Sequence, residues 1–197
     1  MAPIRDLPLL TAETTVAQFV PIRGSNYILG ESVEERSSHS VHWESKALDV
    51  GMVRILDQAP TQFQVEINGS TRRVQLRSRS DLEQFVQAMP RDITYLDITG
   101  LSHHIWAPLI RPLLAMKPRV IAVYVEPGEY RPSTIRTQGE IFDLSERIEG
   151  IAPIPGFAFL RDCSDSDVCF VPLLGFEGTR FSYVLEHVQP RSDNIVP

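Results

Sequence analysis

The chain has 197 residues, of which 43% are hydrophobic and 22% charged, a composition typical of a globular protein with a substantial core. Its formal net charge of −6 disfavours a nucleic-acid partner, because grip on a phosphate backbone needs an excess of clustered Lys and Arg. The sequence contains no signal-peptide pattern and no apolar run long enough to cross a membrane. We therefore expect a cytoplasmic protein without a membrane partner.

Domain organisation follows from where regular patterning begins. Residues 1–15 contain two prolines and no sustained periodicity, which indicates an N-terminal arm. Residues 16–197 contain no segment typical of a linker, so they are expected to form a single α/β domain. The last residues, Asn194–Pro197, are typical of the start of a strand, which would suit the N-terminal part of a longer protein.

The first half of the chain is rich in strand patterns. Asn68-Gly69 is a turn pair that tolerates positive φ, and it predicts a hairpin over residues 62–76 with Val74 and Leu76 on one face and arginines on the other. Residues 31–47 are weakly helical in pattern, and His39 and His42 within them are expected on a solvated face. Three further extended segments are predicted at 16–20, 25–30 and 52–56.

A helix follows the hairpin. Ser80 and Glu83 match a capping box, apolar residues recur with helical spacing after it, and Pro90 ends the pattern. Arginines are concentrated just before this helix, at Arg72, Arg73, Arg77 and Arg79. They are expected to decorate an exposed face of the hairpin.

The second half alternates between strands and helices. Near-continuous apolar runs at 93–98, 120–125 and 168–174 are typical of strands covered on both faces. Helical patterns at 106–116 and 179–188 lie between and after them. Together these elements predict a three-layer, Rossmann-like fold, with a mostly parallel sheet and an attached antiparallel hairpin.

A ligand site is expected where the parallel strands end, because ligands of such sheets bind beyond the carboxyl ends of the strands. Glycine permits close backbone approach there, carboxylates bind hydroxyls, and arginine forks onto phosphate. The leading hypothesis is therefore a site for a phosphate-bearing small molecule, most plausibly a nucleotide, although no dinucleotide-binding or P-loop motif is present. The candidate ligand-binding residues are Gly30, Arg36, Asp97, Thr99, Gly100, Gly175, Glu177 and Arg180.

Two other functions stay open at the sequence level. In a metal-assisted phosphoester hydrolase, Asp97, Glu126 and Glu177 would hold a divalent ion. Either His103 or His104, placed by sequence in the connection before the helix that carries Pro108, would move the proton. The other possibility is a non-catalytic scaffold subunit. No cofactor and no resident metal site is identified.

Association with other chains is also expected. Prolines keep the arm from forming a regular element, the hairpin has a charged face, and the predicted sheet ends at Asn194 with strand edges that have no pairing partner. Exposed edges of this kind are usually covered. We expect self-association or binding to another protein subunit, unless the arm itself covers the edge.

Overall fold

The computed structural model describes residues 10–32, 35–128 and 154–157 together with the isolated positions 169, 171, 182, 185, 186, 189 and 195. The strand predicted at 168–174, the helix at 179–188, the terminal strand and residues 1–9 of the arm therefore fall largely or wholly outside the described residues. The chain divides into two compact units, Met1–Glu126 and Pro127–Pro197. The architecture below belongs to the first unit.

The first unit is an α/β fold built on one six-stranded sheet in the order β4-β3-β2-β1-β5-β6. Its strands are β1 (Ser25–Gly30), β2 (Gly51–Ala59), β3 (Gln62–Ile67), β4 (Ser70–Gln75), β5 (Ile93–Asp97) and β6 (Arg119–Val123). Its helices are a 3-10 helix (Glu35–His42), α1 (Arg79–Gln87) and α2 (His103–Met116). Among the described residues, no helix is both long and apolar enough to cross a membrane.

The sheet is mixed, so the expectation of a mostly parallel sheet is wrong. β1 pairs in parallel with β2 and β5, and β5 pairs in parallel with β6. β3 pairs antiparallel with both β2 and β4. The hairpin lies at one side of the parallel strands, as expected, and it continues the sheet next to β2 because the turn after β2 returns the chain along that strand.

Strand alternation separates two hydrophobic clusters, one on each face of the sheet. On one face, buried residues of the strands, Ile28 and Leu96 among them, pack with Phe85 of α1 and Leu109 of α2. On the other face, Tyr27, Leu29 and Tyr95 pack with Trp43, which follows the 3-10 helix. The two faces are therefore covered by different connections.

The hairpin prediction is confirmed in detail. Asn68 and Gly69 have φ of 51° and 76°, as the turn requires, and their strands pair from Ile67↔Ser70 to Gln62↔Gln75. Val74 and Leu76 are buried. Arg73 and Arg77 are exposed.

Three local predictions are wrong. Residues 16–18 form a turn and not a strand. The N-cap of α1 is Ser78, whose hydroxyl accepts from the Asp81 backbone N–H, so the capping box is not the start of the helix. Helix α2 begins at His103, and Pro108 lies well inside it.

Candidate functional site

The carboxyl ends of β1, β5 and β6 form one edge of the sheet, where the sequence places the candidate ligand site. Gly30 is the last residue of β1, and Asp97 is the last residue of β5. The chain leaves β1 toward the 3-10 helix on the Tyr27 face and leaves β5 toward α2 on the Ile28 face. Neighbouring parallel strands whose connections leave to opposite faces form a topological switch point.

The two loops at this switch point touch through their backbones. A Cβ on Gly100 would lie 1.9 Å from the carbonyl oxygen of Gly30, and a Cβ on Gly30 would lie 2.6 Å from Leu101 Cδ2. These distances leave no room for any side chain at position 100. The glycines thus serve a close contact between loops, with Glu31 and Ser102 exposed beside it.

Asp97 lies beneath this contact, in a buried polar network. Its side chain is 2% exposed. Oδ2 accepts hydrogen bonds from the Tyr27 hydroxyl at 3.1 Å and His39 Nε2 at 2.5 Å, and Oδ1 accepts from the Thr99 backbone N–H at 2.9 Å. Both carboxylate oxygens are occupied by groups of the protein itself, so Asp97 holds β1, β5 and the 3-10 helix together and does not face solvent.

The contacts of His39 assign its proton. The indole N–H of Trp43 lies 3.4 Å from His39 Nδ1, and because an indole can only donate, Nδ1 must be the acceptor. The proton therefore sits on Nε2, from which it is donated to Asp97. The expectation of a solvated face is wrong for His39, which is 5% exposed, and holds only for the exposed His42.

Tyr27 completes the network as a neutral phenol. Burial, then the charge of Asp97 and the hydrogen bond to it, raise the pKa of Tyr27 far above its ordinary value. The ring stacks on Tyr95 with centroids 5.6 Å apart and lies 4.5 Å from Trp43. Alternation along β1 places Tyr27 inside, but the sequence carries no signal that its hydroxyl meets Asp97.

Thr99 and Arg36 link this network to the end of β6. The Thr99 hydroxyl accepts the Val125 backbone N–H at 2.9 Å. Arg36 donates to the Val125 carbonyl at 2.7 Å, and its guanidinium carbon lies 5.0 Å above the ring of Tyr124. Arg36 is half-buried, and these contacts hold its guanidinium at the edge of the sheet where the ligand site is predicted.

Gln58 is a site residue that the sequence analysis missed. Its Oε1 accepts the Ser102 backbone N–H at 2.7 Å, and its Nε2 donates to the Gly100 carbonyl at 2.8 Å. A β-bulge between Ile55 and Asp57 shifts the register of β2 by one residue. The bulge turns Gln58 to the α2 face, where it holds the loop after β5.

His103 and His104 lie in the first turn of α2 and not in the connection before it, which corrects their predicted placement. His103 is exposed and its ring centroid is 5.5 Å from that of Trp106. Ser102, the N-cap residue of α2, makes no side-chain capping hydrogen bond.

Among the remaining predicted site residues, Glu126 is the one that lies in the described part of the chain. Gly175, Glu177 and Arg180 lie outside the described residues. Glu126 is exposed. In the described part of the chain, no three His, Cys, Asp or Glu side chains are grouped so that they could hold a metal ion.

Comparisons with known proteins indicate no function for this site. No protein-family model, no curated protein and no solved structure matches the chain.

Proposed function

We propose that the chain binds a phosphate-bearing small molecule, with a nucleotide as the leading candidate, at the carboxyl-end edge of β1 and β5, in a three-layer Rossmann-like domain. The observation that carries the proposal is the divergence of the two connections after Gly30 and Asp97. In open α/β sheets, ligands bind at such a point, outside the carboxyl ends of the strands.

Arg36 supplies the charge for this proposal. The residue is held at the end of β6 by Val125 and Tyr124, and a guanidinium binds phosphate oxygens through two parallel N–H donors. Because the side chain is already ordered, less conformational entropy is lost when it binds an anion.

In this proposal Asp97, Thr99, Gly30 and Gly100 hold the loops of the site in position. The Asp97 carboxylate accepts three hydrogen bonds beneath the loops, so a ribose hydroxyl would have to meet the exposed Glu31 or groups supplied by Gly175, Glu177 and Arg180. The contribution of those three residues stays a prediction from sequence.

Calorimetric titration with ATP, GTP, inorganic triphosphate and the unphosphorylated nucleosides tests the proposal. We expect binding of the phosphorylated probes only, and a substitution Arg36→Gln to weaken it about tenfold to 100-fold, since a hydrogen bond to a charged group contributes about 1.5–3 kcal/mol. Arg23→Gln is the matched control, because Arg23 precedes β1 at the other edge and has a 79% exposed side chain.

Two results would contradict the proposal. One is the absence of heat and of thermal stabilisation with every phosphorylated probe, since a ligand at 100 times its Kd raises the free energy of unfolding by about 2.7 kcal/mol. The other is equal weakening by Arg36→Gln and Arg23→Gln, which would mark a diffuse charge effect. Release of inorganic phosphate during the titration would instead favour hydrolysis.

A further inference from the structure

A cavity lies at the opposite, amino-terminal edge of the parallel strands, on the α1 face. It has a volume of about 160 Å³ and is lined by residues from the starts of β1 and β2, the hairpin turn and the segment after α1. Asn26, which lines the cavity, is about 13 Å from Gly30 at the end of β1, at ~3.3 Å per residue. This cavity is therefore separate from the edge proposed to bind phosphate.

One wall of the cavity carries a buried amide with a fixed orientation. Asn26 is 1% exposed, and its Nδ2 donates to the Arg91 carbonyl at 2.9 Å and to Thr94 Oγ1 at 3.2 Å. Because a carbonyl can only accept, the nitrogen must face Arg91. The oxygen then points the other way, and within the described residues nothing donates a hydrogen bond to it.

Gly51 opens the space in front of this oxygen. A Cβ at position 51 would lie 3.4 Å from Asn26 Oδ1 and 3.6 Å from both Cζ and Nε of Arg91. Because residue 51 has no side chain, the Asn26 amide and the Arg91 guanidinium both border the cavity. Ile67 and Met89 contribute apolar surface to the same cavity.

The walls are held in place by contacts that do not use the cavity. Arg91 donates to the Ser25 carbonyl at 2.9 Å and to Asp49 Oδ1 at 2.9 Å. Lys117 donates to the carbonyls of Met89 and Arg91 at 2.5 and 3.1 Å. A cavity with fixed walls binds a ligand at a lower entropic cost than one that must first form.

From this geometry we infer that the cavity binds a small, neutral, single-ring heterocycle with an N–H donor, such as a cyclic amide or an azole. The N–H donates to Asn26 Oδ1, and the ring lies against the Arg91 guanidinium and the apolar wall. The volume agrees with this size, because a cavity of about 150 Å³ accommodates one benzene ring. The Asp49 carboxylate on Arg91 disfavours an anionic ligand.

Two-dimensional ¹H–¹⁵N spectra of the full chain, titrated with 2-pyrrolidone and uracil, test the inference. We expect saturable shifts of the Gly51 backbone and Asn26 side-chain amides, with a Kd of about 1 mM or tighter. N-methyl-2-pyrrolidone keeps the ring but lacks the donor, and it should bind at least about tenfold more weakly, as expected for a lost hydrogen bond to a buried acceptor.

Gly51→Ala is the blocking variant. Its methyl group makes ordinary van der Waals contacts with Asn26 and Arg91, so the variant should keep or raise the melting temperature while weakening both probes at least about tenfold. Gly128→Ala is the matched control, because a Cβ at Gly128 has no atom within 4 Å. It should leave binding unchanged.

Three outcomes would overturn the inference. The first is the absence of a saturable shift with either probe at about 10 mM, since such a site is too weak to be specific. The second is a Gly51→Ala variant that binds the probes as well as the parent chain does, and the third is equal binding of 2-pyrrolidone and its N-methyl derivative. The ligand comparison needs no variant, so it decides the question even if a substitution perturbs folding. Nucleotide binding at the other edge is measured separately, and its failure leaves this test intact.

Discussion

Single residues at the carboxyl-end edge mostly maintain the structure around them. Asp97 accepts hydrogen bonds from β1, the 3-10 helix and its own loop. A buried carboxylate is stable only when such donors replace water. Tyr27 donates one of these hydrogen bonds. Burial and the charge of Asp97 oppose its ionisation.

The raised pKa of Tyr27 predicts a loss of stability at alkaline pH. The unfolded chain releases this proton near pH 10, whereas the folded chain retains it, so the contribution is fully present below about pH 10 and decreases above it by up to about 1.4 kcal/mol per pH unit. The folded chain keeps Tyr27 neutral because of burial and Asp97.

Urea unfolding of the parent chain and of Tyr27→Phe between about pH 8 and pH 11 measures this effect. The variant should be less stable by about 1–3 kcal/mol at about pH 8, since Asp97 loses a donor. Above pH 10 the difference should shrink. A constant difference across the range would contradict the prediction.

At the scale of elements, the β2 bulge positions the loop between β5 and α2. The extra residue at Leu56 leaves that side chain 53% exposed, and it brings Gln58 to the α2 face. Gln58 then bonds both sides of the loop, at Gly100 and Ser102. A bulge next to a candidate site re-aims the side chains that follow it.

Gln58→Ala should reduce the free energy of unfolding by about 1–3 kcal/mol, because the Ser102 N–H and the Gly100 carbonyl lose their partner. Gln64→Ala, on the neighbouring strand and the other face, is the matched control and should change it by less than about 0.5 kcal/mol. Chemical denaturation of the three proteins gives the comparison. Equal effects of the two substitutions would show that the amide bridge adds nothing.

The whole molecule divides at Glu126, and the buried residues of both hydrophobic clusters precede that position. Both tryptophans of the chain, Trp43 and Trp106, also precede it. Their fluorescence therefore reports on the first unit alone.

We expect a fragment of residues 1–126 to fold and to unfold cooperatively, since it contains the complete six-stranded sheet and both clusters. Its emission should be blue-shifted by the fully buried Trp43, and urea should unfold it with a slope of about 1–3 kcal/mol per molar. Trp43→Phe is the control for the emission. A fragment with solvent-exposed emission and no transition would contradict the expectation.

Local sequence was sufficient wherever one chemical rule decides the structure. The Asn68-Gly69 turn, the burial of Val74 and the strands at 25–30 and 93–97 follow from turn geometry and apolar alternation, and all are present. The carboxyl-end edge follows as well, because parallel strands bring their ends together.

Only the tertiary structure decided which side chains at that edge are available. Asp97 was predicted to face a ligand, but a tyrosine 70 residues away and a histidine 58 residues away bind its oxygens. The bulge that redirects Gln58 has no local signature, and the direction of the hairpin made the sheet mixed. Partners distant in sequence compete for each buried polar group. Since most such groups are satisfied within the folded chain, the outcome depends on all of them together.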